Sequence, residues 1–233
     1  ILLVVTTFSC SKKIEIDENK VFKLNRYDNI SSLDPINART QANNWACNLI
    51  YNSLVKIDQQ LEIQPDIAKS WVISSNGKTY SFTLKNDVYF HKHEAFGKDS
   101  TRIVTASDFV FSFDRLKDPK AGGSGGWIMN NIDSYQAKND SVFEIKLKEA
   151  YPAFLGLISM KYASVVPKEL FKNGNADFLE HPIGTGPFQF KIWEDNVKMV
   201  FRKNPIYFEF DEKKQRLPYL EAVNITKKKK KNS

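Results

Sequence analysis

An Asn-Gly pair at positions 76 and 77 separates two runs suited to β-strands, and it constrains the fold more than any other feature of the chain. Asn-Gly favours a two-residue turn in which both central residues have positive φ, and this turn joins antiparallel strands. Beyond the pair, Tyr80, Phe82 and Leu84 alternate with hydroxyl residues, so one strand face is apolar and the other is polar. The sequence therefore predicts an antiparallel hairpin with one face against a core.

A helix is predicted after this hairpin. Thr105 followed by Asp108 resembles a capping box, with Asp in place of the usual Glu or Gln. Phe109, Phe113 and Leu116 then recur at i, i+4 and i+7, which is the spacing of one helix face. An Asp-Pro pair directly afterwards ends the predicted helix.

Further elements are indicated along the chain, and none of them forms an internal repeat. Strands are predicted at 21–27, 143–147, 188–192 and 197–201, and helical segments around Trp45, after Pro152 and after Pro167. This irregular mixture predicts an α/β lobe of the mixed α+β kind, rather than a solenoid, a bundle or a sandwich.

The charge and apolar content exclude two classes of protein. The formal net charge is +7, but lysines occupy all of positions 227–231, and without these five the balance is only +2. This interspersed charge makes no basic groove, so no nucleic-acid partner is expected. With 42% hydrophobic residues the chain can fill a core, yet it has no apolar run long enough for a mature membrane-spanning helix.

The first ten residues resemble the end of a bacterial lipoprotein signal peptide. Residues 1–5 are all apolar, Ser9 is small, and Cys10 is followed at once by polar residues. On this interpretation the mature protein begins at Cys10 and a lipid on its thiol anchors it to a membrane outside the cytoplasm. Cys47 is then left without a disulfide partner. The alternative is a frayed strand that ends in an ordinary cysteine.

Catalytic and metal motifs are weak. His91, His93 and Glu94 could share a metal if they lay on a strand, but His181 is far along the chain, and a surface hairpin is the simpler interpretation. The sequence has no Gly-x-Ser-x-Gly motif, and Cys47 has no evident base beside it. Neither an enzyme nor a cofactor is expected.

Trp127 directly follows a glycine-rich stretch at 122–126 that lacks the Gly-Lys-Ser/Thr ending of a phosphate loop. A mobile loop is the expected structure for this stretch. Because Trp127 cannot be assigned to a regular element, it is a candidate ligand-stacking wall, with core packing as the alternative.

Ten short stretches in order resemble the extracellular solute-binding proteins of peptide ABC transporters, the oligopeptide- and dipeptide-binding family 5. They cover most of the chain, and the most specific is Pro-Ile-Gly-Thr-Gly-Pro-Phe at 182–188. The stretches are 33–35, 50–55, 64–71, 80–85, 88–91, 106–113, 151–155, 182–188, 204–207 and 217–220.

This resemblance implies a periplasmic-binding-protein-like receptor that binds peptides by closing two lobes around them, with no covalent chemistry. Main-chain groups and roomy pockets would hold the peptide. The implied partners are peptides, the permease subunits of an ABC transporter, and a membrane reached through the lipid anchor. The implied protein is a monomer at the periplasmic or extracellular face.

Three stretches match cleft positions of the family. One wall offers Arg39, Asn43, Asn44 and Trp45, and Trp127 matches a second position. A third match, with Lys161 and Tyr162, is looser. Alternatives remain open here: Arg39 and Lys161 could simply be solvated, and Trp45 could belong to the core.

The chain departs from the family in length, since family members are about twice as long and the second lobe is missing. The expected division is a signal remnant at 1–10, a tether at 11–19, an incomplete N-terminal lobe at 20–225 and a lysine-rich tail at 226–233. We interpret the tail as a frameshift or truncation, with a true polybasic tail as the alternative. Rival functions are a receptor for nickel or haem-type metal complexes on the same scaffold, and a zinc enzyme using His91, His93 and Glu94.

Overall fold

The computed structural model describes residues 17–26, 28–121, 123–171, 178 and 181–227. The predicted signal remnant, most of the tether and most of the lysine-rich tail lie outside the described residues. The strands are β1 (Val21–Arg26), β2 (Val55–Ile57), β3 (Ile63–Pro65), β4 (Ala68–Ile73), β5 (Thr79–Leu84), β6 (Ile132–Asn139), β7 (Val142–Leu147), β8 (Phe188–Glu194), β9 (Lys198–Lys203) and β10 (Ala222–Lys227). The α-helices are α1 (Gln41–Ile50), α2 (Ala106–Lys117) and α3 (Phe154–Ile158).

Two four-stranded sheets organise the described part of the chain. One has the order β1-β10-β9-β8, and the other has the order β4-β5-β7-β6. Within the first sheet, β1 and β10 are parallel, whereas the remaining neighbours in both sheets are antiparallel. This mixture of sheets and helices matches the predicted α/β class.

The predicted hairpin is confirmed. Strands β4 and β5 pair antiparallel across the turn, and Gly77 has φ of +68°. The turn itself is not the expected two-residue type, because Asn76 does not have positive φ. The Gly77 N–H donates to the Ser74 carbonyl at 2.8 Å, so Ser75 and Asn76 are the central residues and the glycine follows them. Tyr80, Phe82 and Leu84 are all buried, so the apolar face of β5 lies against the core. Local turn chemistry and the two-residue period were sufficient to identify this unit.

The predicted capped helix is also confirmed. The Asp108 carboxylate accepts from the backbone N–H of Thr105 at 2.9 Å and from its hydroxyl at 3.1 Å. Phe109, Phe113 and Leu116 are buried on the inner face of α2. The helix ends at Lys117, directly before the predicted Asp-Pro stop.

The Pro-Ile-Gly-Thr-Gly-Pro-Phe stretch ties the first sheet to the end of α1. The Gly186 N–H donates to the Ile50 carbonyl at 2.7 Å. At Gly184 an added Cβ would lie 2.0 Å from that same carbonyl oxygen, so no side chain fits there. The Thr185 hydroxyl donates to Asn52 at 3.0 Å inside the protein.

No helix within the described ranges is long and apolar enough to cross a membrane.

Candidate functional site

The loop between β1 and α1, residues 28–40, is anchored to the core at its centre. The Tyr51 hydroxyl donates to the Leu33 carbonyl at 2.9 Å. The Arg115 guanidinium pairs with the Asp34 carboxylate at 2.8 Å, and the same carboxylate accepts from the Ile36 N–H. Burial raises the pKa of Asp34, and Arg115 opposes that shift. These contacts hold the β1–α1 loop in one shape.

Asn43, on α1, is hydrogen-bonded to this loop. Its side chain is buried, with Oδ1 accepting from the Ser31 N–H at 2.9 Å and Nδ2 donating to the Asn37 carbonyl at 3.3 Å. One side chain therefore joins two points of the loop six residues apart. In this arrangement Asn43 positions the loop, and its polar atoms face protein groups.

The glycine-rich stretch packs against the same loop. The N–H groups of Ser124 and Gly125 donate to the Ile36 carbonyl at 3.0 and 3.3 Å. A Cβ at Gly125 would lie 2.5 Å from the Tyr162 ring, so only glycine permits this approach. The described part of the stretch is therefore packed and hydrogen-bonded against its neighbours. Trp127 follows in a 3-10 turn and leaves 47% of its surface exposed.

The Lys161 side chain reaches the C-terminal end of α1. The residue is partly exposed along its length, but its ammonium group donates to the Tyr51 carbonyl at 3.1 Å. Burial lowers the pKa of Lys161, and the nearby Asp66 carboxylate partly restores it. Simple solvation, the alternative considered for this lysine, is therefore wrong. Arg39 is exposed, as the solvation alternative for that residue expects.

Trp45 lies at the other end of the β1–α1 loop. Its side chain is 45% exposed, so the alternative that Trp45 belongs to the core is wrong. The Arg26 guanidinium lies 4.0 Å from the centre of the Trp45 ring. Arg26 is buried at the carboxyl end of β1 and pairs with Asp28 at 3.0 Å. Asn44, one residue before Trp45, accepts from Asn48 on the outer side of α1.

The structure thus brings Tyr162 and the glycine-rich stretch before Trp127 against the part of the β1–α1 loop around Ile36, and it places Trp45 beside Arg26 at the end of β1. Arg39 lies in the loop and is exposed. Sequence reasoning missed Arg26 and Asp28. They lie at the carboxyl ends of the parallel strands β1 and β10, the edge at which α/β sheets commonly bind ligands. A pocket of about 30 Å³ opens there, enough for about one water. This edge could not be identified from the sequence, because it exists only where β1 pairs with β10 from the other end of the described chain.

The histidine segment runs antiparallel to residues 100–104, as the predicted hairpin requires, with the Phe90 N–H donating to the Arg102 carbonyl and the His93 N–H to the Ser100 carbonyl. Its predicted surface position is wrong for His91. His91 is buried in an irregular segment, and its Nε2 lies 2.9 Å from the Gly186 carbonyl. Burial lowers the pKa of His91 to about 4, so the ring is neutral. The described residues contain no group of three or more His, Cys, Asp or Glu placed to hold a metal.

Cys47 is buried on α1, and burial raises the pKa of its thiol to about 12. A thiol of this kind remains protonated near neutral pH and is not an activated nucleophile.

Comparison with known proteins identifies one family. The family model described as bacterial extracellular solute-binding proteins, family 5 Middle, matches residues 62–232. The Dipeptide-binding protein of Escherichia coli (strain K12) is 32% identical over 170 residues, which cover 66% of this chain and 31% of that protein.

Solved structures agree in fold. The DppA periplasmic binding protein of Helicobacter pylori, in complex with the peptide STSA, has a TM-score of 0.78 and 28% identity. The match covers 90% of this chain and 44% of that one. NikZ from Campylobacter jejuni, in complex with Ni(L-His), has a TM-score of 0.74 and 27% identity, with 89% and 39% of the two chains covered. These likenesses confirm the predicted periplasmic-binding-protein-like architecture.

The chain spans about a third of the length of the curated relatives it matches.

Proposed function

Because the chain belongs to family 5 of the bacterial extracellular solute-binding proteins, we propose that it forms one part of a peptide receptor for an ABC importer. The Escherichia coli relative is named a dipeptide-binding protein, and the Helicobacter pylori structure holds a four-residue peptide. We extend this ligand class, short peptides, to the present protein. The receptor binds and releases its ligand and performs no covalent chemistry.

The observation that carries the proposal is the surface of the β1–α1 loop, residues 28–40, which Tyr51, Arg115 and Asn43 hold in place from inside the protein. We name this surface, with Trp45, Trp127 and Tyr162, the β1–α1 wall. Tyr162 packs against the glycine-rich stretch that hydrogen-bonds to this loop, and Trp127 directly follows that stretch. Trp127, Trp45 and Arg39 are all exposed. A peptide laid along such a wall can hydrogen-bond through its main chain, while its side chains occupy wide spaces beyond. Asn43, Lys161 and the Asn44 side chain have internal or local partners, and we assign them supporting roles.

In the whole receptor a second lobe closes over this wall. Closure stabilised by the ligand would let permease subunits distinguish the loaded receptor from the empty one. The protein acts as a monomer on the periplasmic or extracellular side and needs no cofactor. Acylation at Cys10 anchors it there, and Cys10→Ser should release the receptor from membranes into the soluble fraction.

The test is a thermal-melting titration of the complete receptor with dipeptides, tripeptides and tetrapeptides. A peptide at 100-fold its Kd stabilises the folded state by about 2.7 kcal/mol. Trp127→Ala should weaken peptide binding about tenfold by removing stacking area at the wall. Tyr151→Ala is the matched control, because Tyr151 is an exposed aromatic residue outside the wall.

A histidine–nickel complex and free amino acids complete the titration panel. Stabilisation by the nickel complex, with none by peptides, would replace the proposal by the rival metal-complex receptor. Equal peptide binding by the Trp127 and Tyr151 variants would remove Trp127 from the site while leaving the receptor function standing.

A further inference from the structure

The turn that joins β4 to β5 carries a reactive side chain. Asn76 is exposed in this turn, and Gly77 follows it directly. An asparagine in this order can react with its own main chain, because the glycine has no Cβ to hinder the approach of its nitrogen to the side-chain carbonyl carbon. The sequence has a second Asn-Gly pair, at 173–174, which lies outside the described residues.

Two donors hold the side-chain oxygen of Asn76. The Ser74 hydroxyl donates to Oδ1 at 2.6 Å, and the Lys78 N–H donates to it at 3.1 Å. The direction of the Ser74 hydroxyl is set, because its oxygen accepts from the Thr79 N–H at 2.9 Å while its proton is directed to Asn76. Donors that already point at a carbonyl oxygen stabilise the negative charge that develops there when a nucleophile attacks the carbon.

The attacking atom is the nitrogen of Gly77. Its N–H donates to the Ser74 carbonyl at 2.8 Å, so this bond has to open before the nitrogen can reach Asn76 Cγ. Exposed turns open locally at a low cost in free energy, far below that of global unfolding. We therefore expect a reaction that is slower than in the unfolded chain but that proceeds in the folded protein.

We propose that Asn76 is a site of self-modification, at which the folded turn converts the asparagine into aspartate and isoaspartate. The Gly77 nitrogen gives its proton to hydroxide and bonds to Asn76 Cγ, while negative charge moves to Oδ1. As that charge returns to the carbon, the Cγ–Nδ2 bond breaks and Nδ2 leaves as ammonia, with a proton taken from water. Water then opens the resulting succinimide ring at either carbonyl, which gives aspartate or isoaspartate.

The two products differ in their effect on the hairpin. Aspartate keeps a side-chain oxygen for the Ser74 hydroxyl and the Lys78 N–H, so the turn is preserved. Isoaspartate sends the main chain through the side chain and adds one carbon to the turn. The closing bond from the Ser74 N–H to the Thr79 carbonyl, 2.9 Å long, is then strained, and the adjacent pairing of β4 with β5 loosens.

The test is incubation of the folded full chain at mildly alkaline pH, followed by tryptic digestion and mass spectrometry. Residues 70–78, 139–146 and 173–191 fall in separate tryptic peptides, so each asparagine is followed by itself. We expect peptide 70–78 to gain the mass of an amide-to-acid conversion and to separate into two products.

Asn139 is the internal control. It is exposed at the β6–β7 turn, and its Oδ1 also accepts from the N–H two residues further on, at 2.9 Å. It is followed by Asp140 instead of glycine. Asn139 should therefore remain unchanged over the time in which half of Asn76 reacts.

Two variants test the part played by Ser74. Ser74→Ala should slow the reaction of Asn76 about fivefold in the folded chain, because a hydrogen bond strengthens when its acceptor becomes charged. Ser74→Thr keeps a hydroxyl and should react at the parent rate. In urea, where the turn is absent, the parent chain and both variants should react equally fast.

An unmodified Asn76 in the folded chain would overturn the proposal, and so would an Asn139 that reacts as fast as Asn76. Equal folded-state rates for Ser74→Ala and the parent chain would also overturn it, because the turn would then contribute nothing. A Ser74→Ala effect that persists in urea would have the same meaning. None of these results bears on peptide binding, because residues 74–79 do not belong to the β1–α1 wall.

Discussion

Replacing Asn43 by alanine is expected to destabilise the protein through the β1–α1 loop. The substitution removes the acceptor of the Ser31 N–H and the donor to the Asn37 carbonyl, together with a 3.2 Å bond to the Ser31 hydroxyl. The cap of α1 survives, because Thr40 accepts from the backbone N–H of residue 43. The change therefore loosens the loop without disturbing the start of the helix.

The magnitude follows from the bonds lost. Three hydrogen bonds at about 1 kcal/mol each, one of them long, contribute about 2–3 kcal/mol to the free energy of unfolding. Alanine is a better helix former than asparagine and returns about 0.6 kcal/mol. The expected net loss is about 2 kcal/mol, which lowers Tm by about 4–8 °C in a domain of this size.

Asn44→Ala is the matched control. It makes the same change in helix propensity at the next position, where the side chain accepts one hydrogen bond from Asn48 at the surface. Urea unfolding followed by circular dichroism measures the free energy of both variants. Amide hydrogen exchange at Ser31 separately reports local opening of the loop.

Equal unfolding free energies of the two variants, together with Ser31 exchange as slow in Asn43→Ala as in the parent chain, would show that Asn43 does not support the loop. Faster exchange with unchanged global stability would show that the loop opens on its own, while the support by Asn43 remains established.

Three further predictions concern the interior. Gly184→Ala should lower the free energy of unfolding by about 3 kcal/mol, because the added Cβ would overlap a carbonyl oxygen. Gly156→Ala, where α3 leaves open space for a Cβ, should raise it by about 0.5–1 kcal/mol. Chemical denaturation measures both. The pKa of His91 is about 4 in the folded protein against an ordinary 6.5, so the unfolded chain binds more protons as pH falls through that window. Stability should therefore drop by about 3 kcal/mol between about pH 6.5 and 4; His91→Gln should flatten this dependence, and a His181→Gln variant that flattened it equally would contradict the assignment. Arg115→Met should cost about 3 kcal/mol by leaving a buried carboxylate unpaired, and a melting curve identical to that of the parent chain would contradict this role.

The elements identified from sequence were those with a local cause. The β4–β5 hairpin depends on the Asn-Gly turn, and α2 depends on its capping residues and apolar spacing. Strand β6 was missed because its residues are mostly polar and its pairing with β7 shifts register twice, at Ile132/Ser134 and at Ala137/Asn139. Bulges remove the two-residue alternation on which strand prediction relies.

Predictions about the site were less complete, because they concerned the orientation of side chains. Asn43 and Trp45 are two residues apart on α1, yet one is buried under the loop and the other is half-exposed beside Arg26. His91 was expected at the surface, but it is buried, and its Nε2 lies 2.9 Å from the Gly186 carbonyl, which is distant in sequence. A helix period of 3.6 residues places neighbours on different faces, but which face meets a loop depends on the rest of the fold.

Sequence alone indicated the family, through ten short stretches that match it in order. It also determined the main local units, and with them the mixed α/β class, because turn, capping and alternation signals act over a few residues. Tertiary structure decided the sheet order, above all the parallel pairing of β1 with β10 from opposite ends of the described chain. It also decided the support of the β1–α1 loop and the burial of His91 against the Gly186 carbonyl. Those features join segments distant in sequence, and their energies depend on burial and on partner geometry that no short stretch of residues encodes.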